Sequence, residues 1–299
     1  MTELCQSSAV LTLGVGCLFA FRSEVPTAAI LQVEPRTDGP EVVRHQWTTD
    51  PLVASRSYVD HFGNTCRRLT FPPGLLTLRY DADVLVSEQI DVRDWYAAEV
   101  APADLPDDAL AFTLPSRFCQ SDVLGDAAWK HFGDLPRGMS RVQAVSDFVH
   151  QHVTFCADSS SPTKTAVEVY QTGEGVCRDF AHLMITFLRA LNIPARYVFG
   201  YLPDIGVPPP HDPMDFCAWT EVYLGGRWYT FDPRNNQARS GRVLIGRGRD
   251  AIDVAMVTSY GGPELVEMSV WAEPRAIPPG GPSAQELVGH AEPQVGGQA

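Results

Sequence analysis

The sequence predicts an α+β protein of two domains, an N-terminal β-sandwich followed by a domain in which helices pack against an antiparallel sheet. Within the first 90 residues, apolar residues alternate at period two, as they do in strands with one buried face. From residue 121 to residue 191 the apolar spacing is helical, and after Pro194 runs of aromatic and β-branched residues return. Strands, then helices, then strands is an order typical of an α+β fold, and 299 residues are enough for two domains.

Residues 1–90 are expected to form the sandwich. Its first strand covers the apolar segment 9–21, where every second residue from Leu11 to Phe21 is apolar. The length of this segment would also suit a signal peptide, but no Lys or Arg precedes it and no small-residue cleavage site follows. We therefore expect a strand, with a hairpin turn at 60–65 and a further alternating face at 76–86.

Residues 91–118 contain a cluster of Pro, Ala and Asp, which predicts an acidic connector between the domains. The core domain is expected to span 119–270. It opens with a helix after Asp122 and a second helix after Ser140, which begins a capping-box pattern. Residues 271–299 are dominated by Pro, Gly, Ala and Gln, and this composition predicts a mobile tail.

Cys177 follows a glycine-containing turn and precedes apolar residues at helical spacing, so it is predicted at the start of a helix. The positive end of the helix dipole and the charge of Arg178 both favour the thiolate. We therefore expect the pKa of Cys177 to lie below about 8.5, the usual value for a free thiol, and the residue to be a nucleophile. The alternative is a buried cysteine that acts only as a small hydrophobic residue.

A second informative segment covers residues 215–233. Two aromatic and β-branched runs flank Gly225-Gly226, a pattern that predicts a β-hairpin. Asp232 lies at the end of its second strand.

With these segments the chain resembles bacterial transglutaminase-like proteins, which belong to the papain-like cysteine enzyme superfamily. Three motifs carry the resemblance: Gly-Val-Cys-Arg-Asp at 175–179, Cys-Ala-Trp at 217–219 where the family has His-Ala-Trp, and Phe-Asp-Pro at 231–233. Supporting segments lie at 114–119, 161–166 and 193–198. The resemblance implies a papain-like α+β core, with Cys177 as nucleophile and Asp232 as the carboxylate that orients the catalytic histidine.

The chain departs from the family at that histidine, because Cys217 occupies its position. In such a triad the histidine accepts the thiol proton and later protonates the leaving group, and a cysteine cannot copy both roles. The resemblance therefore implies an atypical site of Cys177, Cys217 and Asp232. His211, in the proline-rich loop at 207–213, is a candidate substitute base or a solvated loop histidine. His182, five residues after Cys177, is expected to be a packed or surface residue.

Three functions remain open from the sequence. The first is acyl transfer, or hydrolysis of an amide or peptide bond, through a Cys177 thioester on a peptide, a protein or a small amide or ester. The second is a catalytically silent binding module, which the missing histidine favours. The third is a redox-controlled thiol pair of Cys177 and Cys217, since the family geometry would bring these residues together.

Composition argues against several partners and locations. The net charge of -13 disfavours nucleic acid and anionic membranes, which are bound by clustered Lys and Arg. The 7 cysteines include no C-x-x-C pair, which suits a reducing cytoplasm better than a disulfide scaffold or a zinc site. We expect no cofactor, no metal ion and no transmembrane segment, and the oligomeric state stays open.

Overall fold

The structure is a computed structural model that describes residues 10–208 and 213–275. It has an α+β fold, as predicted. Two four-stranded sheets form a β-sandwich, and a third four-stranded sheet packs against helices. No helix in the described ranges is both long enough and apolar enough to cross a membrane.

The first sheet of the sandwich is antiparallel, with the strand order β14-β1-β6-β3. Its strands are β1 (Val10–Ser23), β3 (Glu41–Asp50), β6 (Gly74–Ser87) and β14 (Glu264–Pro274). The strand predicted from the apolar alternation is confirmed, because Leu13, Val15, Cys17 and Phe19 of β1 are all buried. These residues share one face of the strand and contribute to the sandwich core.

The second sheet has the order β13-β2-β5-β4. Its strands are β2 (Thr27–Leu31), β4 (Ser55–Val59), β5 (Thr65–Phe71) and β13 (Val257–Ser259). The hairpin turn predicted at 60–65 joins β4 to β5, where the Asp60 N–H donates to the Asn64 carbonyl over 3.0 Å. Phe21 of the first sheet stacks on Phe71 of the second, with ring centroids 4.9 Å apart, so the sheets share one core.

Both sandwich sheets include a strand from the C-terminal part of the chain. This differs from the prediction, which assigned residues 119–270 to the core domain and residues 271–299 to a mobile tail. β14 pairs with β1 from Leu13 opposite Pro274 to Arg22 opposite Glu264. Residues 271–274 therefore belong to a strand rather than to the predicted tail. The strand lies at a sheet edge and buries only Val270 and Ala272, but Val266, Met268, Val270 and Ala272 alternate at period two, a strand signal that the predicted boundaries overlooked.

The α+β domain has five α-helices in the described residues, and two of them are only four or seven residues long. They are α1 (Asp107–Leu110), α2 (Gly125–Phe132), α3 (Met139–His152), α4 (Ala166–Thr172) and α5 (Cys177–Ala190). The capping box predicted at Ser140 is wrong, because Ser140 lies inside α3 and Gly138 occupies the cap position. The connector supplies hydrogen-bond acceptors for the backbone N–H groups at the start of α3. Met139 N donates to Ala97 O, and Gly138 N donates to Glu99 Oε1, both over 3.0 Å.

The third sheet has the order β11-β10-β9-β12 and is antiparallel throughout. Its strands are β9 (Ala195–Tyr201), β10 (Cys217–Leu224), β11 (Arg227–Phe231) and β12 (Val243–Gly248). The predicted hairpin is confirmed, since Gly225 and Gly226 join β10 to β11 with φ angles of 54° and 89°. Two residues with positive φ are what a two-residue type I′ turn requires.

Helix α5 lies between this sheet and helices α2, α3 and α4, and every residue from Asp179 to Arg189 is buried. A helix that is enclosed on all sides cannot shift without breaking contacts with several elements. The buried Arg189 guanidinium adds hydrogen bonds to the carbonyls of Ala195, Leu114 and Arg249, at 3.0, 3.1 and 2.6 Å. The first residue of α5 is therefore held in a fixed position relative to β9 and β10.

The close packing of β9 can be tested at Gly200, which pairs with Cys217 in β10. A Cβ at this position would lie 2.2 Å from the Val243 carbonyl oxygen and 2.7 Å from Trp219 Cη2. We expect Gly200→Ala to lower the free energy of unfolding by about 1–3 kcal/mol, measured by thermal unfolding. Gly125→Ala is the control, since its Cβ would meet no atom within 4 Å at the start of α2, and it should melt at or above the wild-type temperature. Equal melting of Gly200→Ala and wild type would contradict this packing.

Candidate active site

Cys177 is the first residue of α5, as predicted. The preceding helix α4 ends at Gly173, whose φ of 68° reverses the chain direction. The chain then forms the short strand β8 (Glu174–Gly175), which pairs in parallel with β7 (Thr154–Phe155). This arrangement places the thiol in the first turn of a helix, where unpaired N–H groups and the helix dipole favour negative charge.

Arg178 and Asp179 fix the start of α5. Asp179 is fully buried, and its Oδ2 accepts a hydrogen bond from the Val176 N–H over 3.0 Å. Arg178 Nη2 pairs with Asp179 Oδ1 at 3.1 Å and donates to Ser160 Oγ at 2.8 Å and Ser161 O at 2.6 Å. The two residues therefore tie the loop around residue 160 to the helix that carries Cys177.

Cys217 is the first residue of β10 and lies against Cys177. It is 5% exposed and belongs to a small apolar cluster on which Cys177 packs. The other members of that cluster are Val198, Leu202, Trp219 and Leu244. Cys177 Sγ lies 3.9 Å from the carbonyl oxygen of Phe216, the residue before Cys217. The structure thus brings together the two cysteines that the sequence analysis grouped.

The two thiols have opposite pKa shifts. The neighbouring Cys217 thiol lowers the pKa of Cys177 below its ordinary value, against the effect of burial, and the Ala218 backbone and the charge of Arg234 act in the same direction. The neighbouring Cys177 thiol, burial and the charge of Asp232 raise the pKa of Cys217 well above its ordinary value, and the Cys217 thiol donates to the Ala218 carbonyl over 3.6 Å. The pair therefore favours a thiolate at Cys177 over one at Cys217.

Asp232 lies directly after β11, near enough to Cys217 for its charge to act on that thiol. Its side chain is fully buried and accepts hydrogen bonds from Asn235 N at 3.1 Å and Asn235 Nδ2 at 2.9 Å. Arg242 Nη2 forms an ion pair with Asp232 at 3.2 Å and a second one with Asp91 at 3.1 Å. The carboxylate that would orient a histidine is thus held by an arginine and an asparagine.

Arg242 was not identified from the sequence. It lies ten residues after Asp232, immediately before β12, and no local pattern links the two positions. Its guanidinium also lies over the indole of Trp219, with 4.9 Å between Cζ and the ring centroid. Trp219 is 2% exposed, which confirms the expectation that it is a core residue.

Two histidines were considered as substitute bases. His211 lies outside the described residues. His182 is fully buried between Phe118 and Tyr197, with ring centroids 5.3 and 5.0 Å away, and its Nε2 accepts a hydrogen bond from Ala251 N over 3.1 Å. Burial lowers the pKa of His182 to about 3, so it stays neutral at physiological pH. His182 is a packed residue, as the sequence analysis expected.

Two cavities meet at Cys177. One has a volume of about 410 Å³ and contains charged and polar side chains, namely Asp204, Asp215, Arg234, Asn235 and Arg239. The other has a volume of about 640 Å³ and is mainly apolar, with walls from Phe118, Tyr197, Phe199, Phe216, Met256 and Val257. Val176, Cys177, Asp215 and Phe216 line both cavities. A bound molecule can therefore extend to either side of the Cys177 sulfur.

Comparison with known proteins identifies the family. Residues 132–233 match the model of the transglutaminase-like superfamily. The chain is 34% identical over 238 residues to the uncharacterized protein Rv2569c of Mycobacterium tuberculosis, covering 71% of this chain and 74% of that relative. It is 26% identical over 251 residues to the uncharacterized protein ML0607 of Mycobacterium leprae, covering 78% and 85%. The crystal structure of a proposed cysteine protease from Cytophaga hutchinsonii has a TM-score of 0.80 and 29% identity, covering 90% of this chain and 92% of that one. The chain belongs to the transglutaminase-like superfamily.

Proposed function

We propose that the protein is a cysteine-dependent acyltransferase or hydrolase, in which Cys177 attacks an amide, peptide or ester carbonyl and holds the acyl group as a thioester. The observation that carries this proposal is the placement of Cys177 in the first turn of α5 against the Cys217 thiol. The neighbouring Cys217 thiol and the helix N-terminus both favour the thiolate, which is the nucleophilic form. The two cavities give a substrate access to that sulfur.

In the first half of the proposed reaction, the Cys177 thiolate forms a C–S bond to the carbonyl carbon. The N–H groups at the start of α5 stabilise the negative charge that develops on the carbonyl oxygen. The C–N or C–O bond to the leaving group then breaks, and the leaving group departs with the proton of Cys217. Because Cys177 is now an uncharged thioester, it no longer disfavours a Cys217 thiolate, and the positive charge of Arg242 favours that thiolate against the effects of burial and of Asp232.

In the second half, water or an amine attacks the thioester carbonyl and gives a proton to the Cys217 thiolate. The C–S bond breaks, the acid or the new amide leaves, and Cys177 returns to the thiolate. In this scheme Cys217 moves the proton that a histidine moves in the family's usual triad. The charges of Asp232 and Arg242, which form an ion pair, act on the Cys217 thiol. Peptides, proteins and small amides or esters are the proposed substrates.

Restoring the histidine tests this scheme. Imidazole accepts and donates protons near neutral pH more effectively than a thiol of raised pKa, so Cys217→His should accelerate hydrolysis of an amide substrate by about 10²–10⁴-fold. The measurement is turnover of peptide p-nitroanilides, with Cys177→Ala in both backgrounds as the control that must abolish it. Equal activity of the wild type and Cys177→Ala on every substrate would support the catalytically silent binding module and contradict the proposal.

A second candidate, a redox-controlled thiol pair, is favoured by the contact between Cys177 and Cys217. Oxidised glutathione would accept two electrons and two protons from the pair, giving a disulfide and two molecules of glutathione. The disulfide would remove the nucleophile and close a loop of 40 residues. These thiols are among the described cysteines, all of them free, and we propose a reducing, cytoplasmic location in which the pair stays reduced.

The pairing predicts a measurable gain in stability on oxidation. We expect mild oxidation to yield a Cys177–Cys217 linked peptide and to raise the free energy of unfolding by about 3–4 kcal/mol, the value for a loop of this length. Peptide mass spectrometry and thermal unfolding with and without reductant measure the two effects, and Cys217→Ala should lose both. Folded, oxidised protein without this linked peptide would show that the two sulfurs do not face each other.

A further inference from the structure

We propose that the 640 Å³ cavity beside Cys177 binds the acyl group of the donor, and that the protein therefore selects donors with a large apolar acyl group, either an aliphatic chain or an aromatic one. This inference rests on the proposed acyl-transfer function and specifies its substrate class. A cavity of this volume falls within the range of roughly 300–1,000 Å³ that is usual for small-molecule sites.

The position of Cys217 decides which cavity takes which half of the substrate. Cys217 lines the charged cavity, and it does not line the apolar one. In the proposed reaction the leaving group must lie next to the thiol that protonates it, so the leaving group occupies the charged cavity. The carbonyl carbon is at Cys177, where the two cavities meet, and the acyl group consequently extends into the apolar cavity.

The chemistry of the two sets of walls agrees with this assignment. The apolar cavity is formed by aromatic side chains from β9 and from the residues around Cys217, together with the segment 251–257. An apolar acyl group would be removed from water there, with a gain proportional to the area buried. The charged cavity contains Asp204, Arg234 and Arg239 besides the shared Asp215, so an alkyl chain there would lie beside more ionic side chains than in the apolar cavity, whose charged lining is Arg178 and Asp215.

The walls of the apolar cavity are held by contacts with one another and with residues outside it. The Phe216 ring packs at a tilt against Phe199, another wall residue, and against Tyr201, with ring centroids 5.0 and 5.2 Å away. The carbonyl oxygen of Met256 accepts a hydrogen bond from Gln32 N over 3.0 Å, which ties the segment 251–257 to the sandwich. The cavity is thus formed before a ligand binds, so little of the gain from burial is lost in ordering the protein.

A series of p-nitrophenyl esters tests the inference, because the leaving group stays constant while the acyl chain grows. Acetate, butyrate, hexanoate and octanoate esters are compared by the second-order rate of nitrophenol release and by the mass of acylated Cys177. We expect the rate to rise about two- to fourfold for each methylene that enters the cavity. Met256→Asp should lower the octanoate rate at least tenfold and flatten the dependence of the rate on chain length.

Two further variants keep the test decisive if Met256→Asp does not fold. Met256→Ala enlarges the cavity and should shift the preference toward longer chains. Val266→Asp, an exposed position on β14 away from the cavity, is the matched control and should reproduce the wild-type series. Acylation of Cys177 at a rate independent of chain length would overturn the acyl-group assignment and leave the proposed function standing. Absence of Cys177 acylation with every ester would overturn the proposed function itself.

Discussion

The contact between the first residue of α5 and the first residue of β10 determines the chemistry of this protein. Helix α5 is enclosed by three helices and a sheet, and Arg178 and Asp179 fix its first turn. Strand β10 is central in its sheet and pairs on both sides. Because neither element can move independently of the core, Cys177 and Cys217 stay in contact. The contact between the two thiols, together with their unequal surroundings, shifts their pKa values in opposite directions.

Asp232 and its partners determine the electrostatics behind the site. A buried carboxylate without a partner is costly, and in the family's usual site the imidazole supplies that partner. Here Arg242 and Asn235 do so for Asp232, and Arg242 is shared with Asp91 in the connector. The ion pair holds Asp232 in its buried position beside Cys217. The connector and the sheet therefore both contribute to the surroundings of one thiol.

Much of this arrangement could be predicted from the sequence, because its signals are local. Period-two alternation identifies β1, the Gly225-Gly226 pair identifies the hairpin, and a turn before an apolar helix places Cys177. Signals that depend on distant residues could not be found in this way. The start of α3 is satisfied by the connector, and Arg242 reaches Asp232 only through the fold. The apolar cavity likewise depends on segment 251–257, which carries no motif. The edge strand β14 differs from these, because its alternation from Val266 to Ala272 is a local signal that the predicted boundaries overlooked.

The Cys217 thiol is proposed to stabilise the Cys177 thiolate, and the pH dependence of Cys177 alkylation measures this effect directly. Iodoacetamide labelling of Cys177, followed by peptide mass spectrometry, gives the pKa of Cys177 in the wild type and in Cys217→Ala. Cys119 is the internal reference, because burial raises the pKa of that thiol to about 12. We expect the pH midpoint of Cys177 alkylation to lie below that of an ordinary thiol in the wild type and to be higher in Cys217→Ala. Labelling at neutral pH should therefore be slower in the variant. An identical midpoint in the two proteins would show that Cys217 does not stabilise the thiolate.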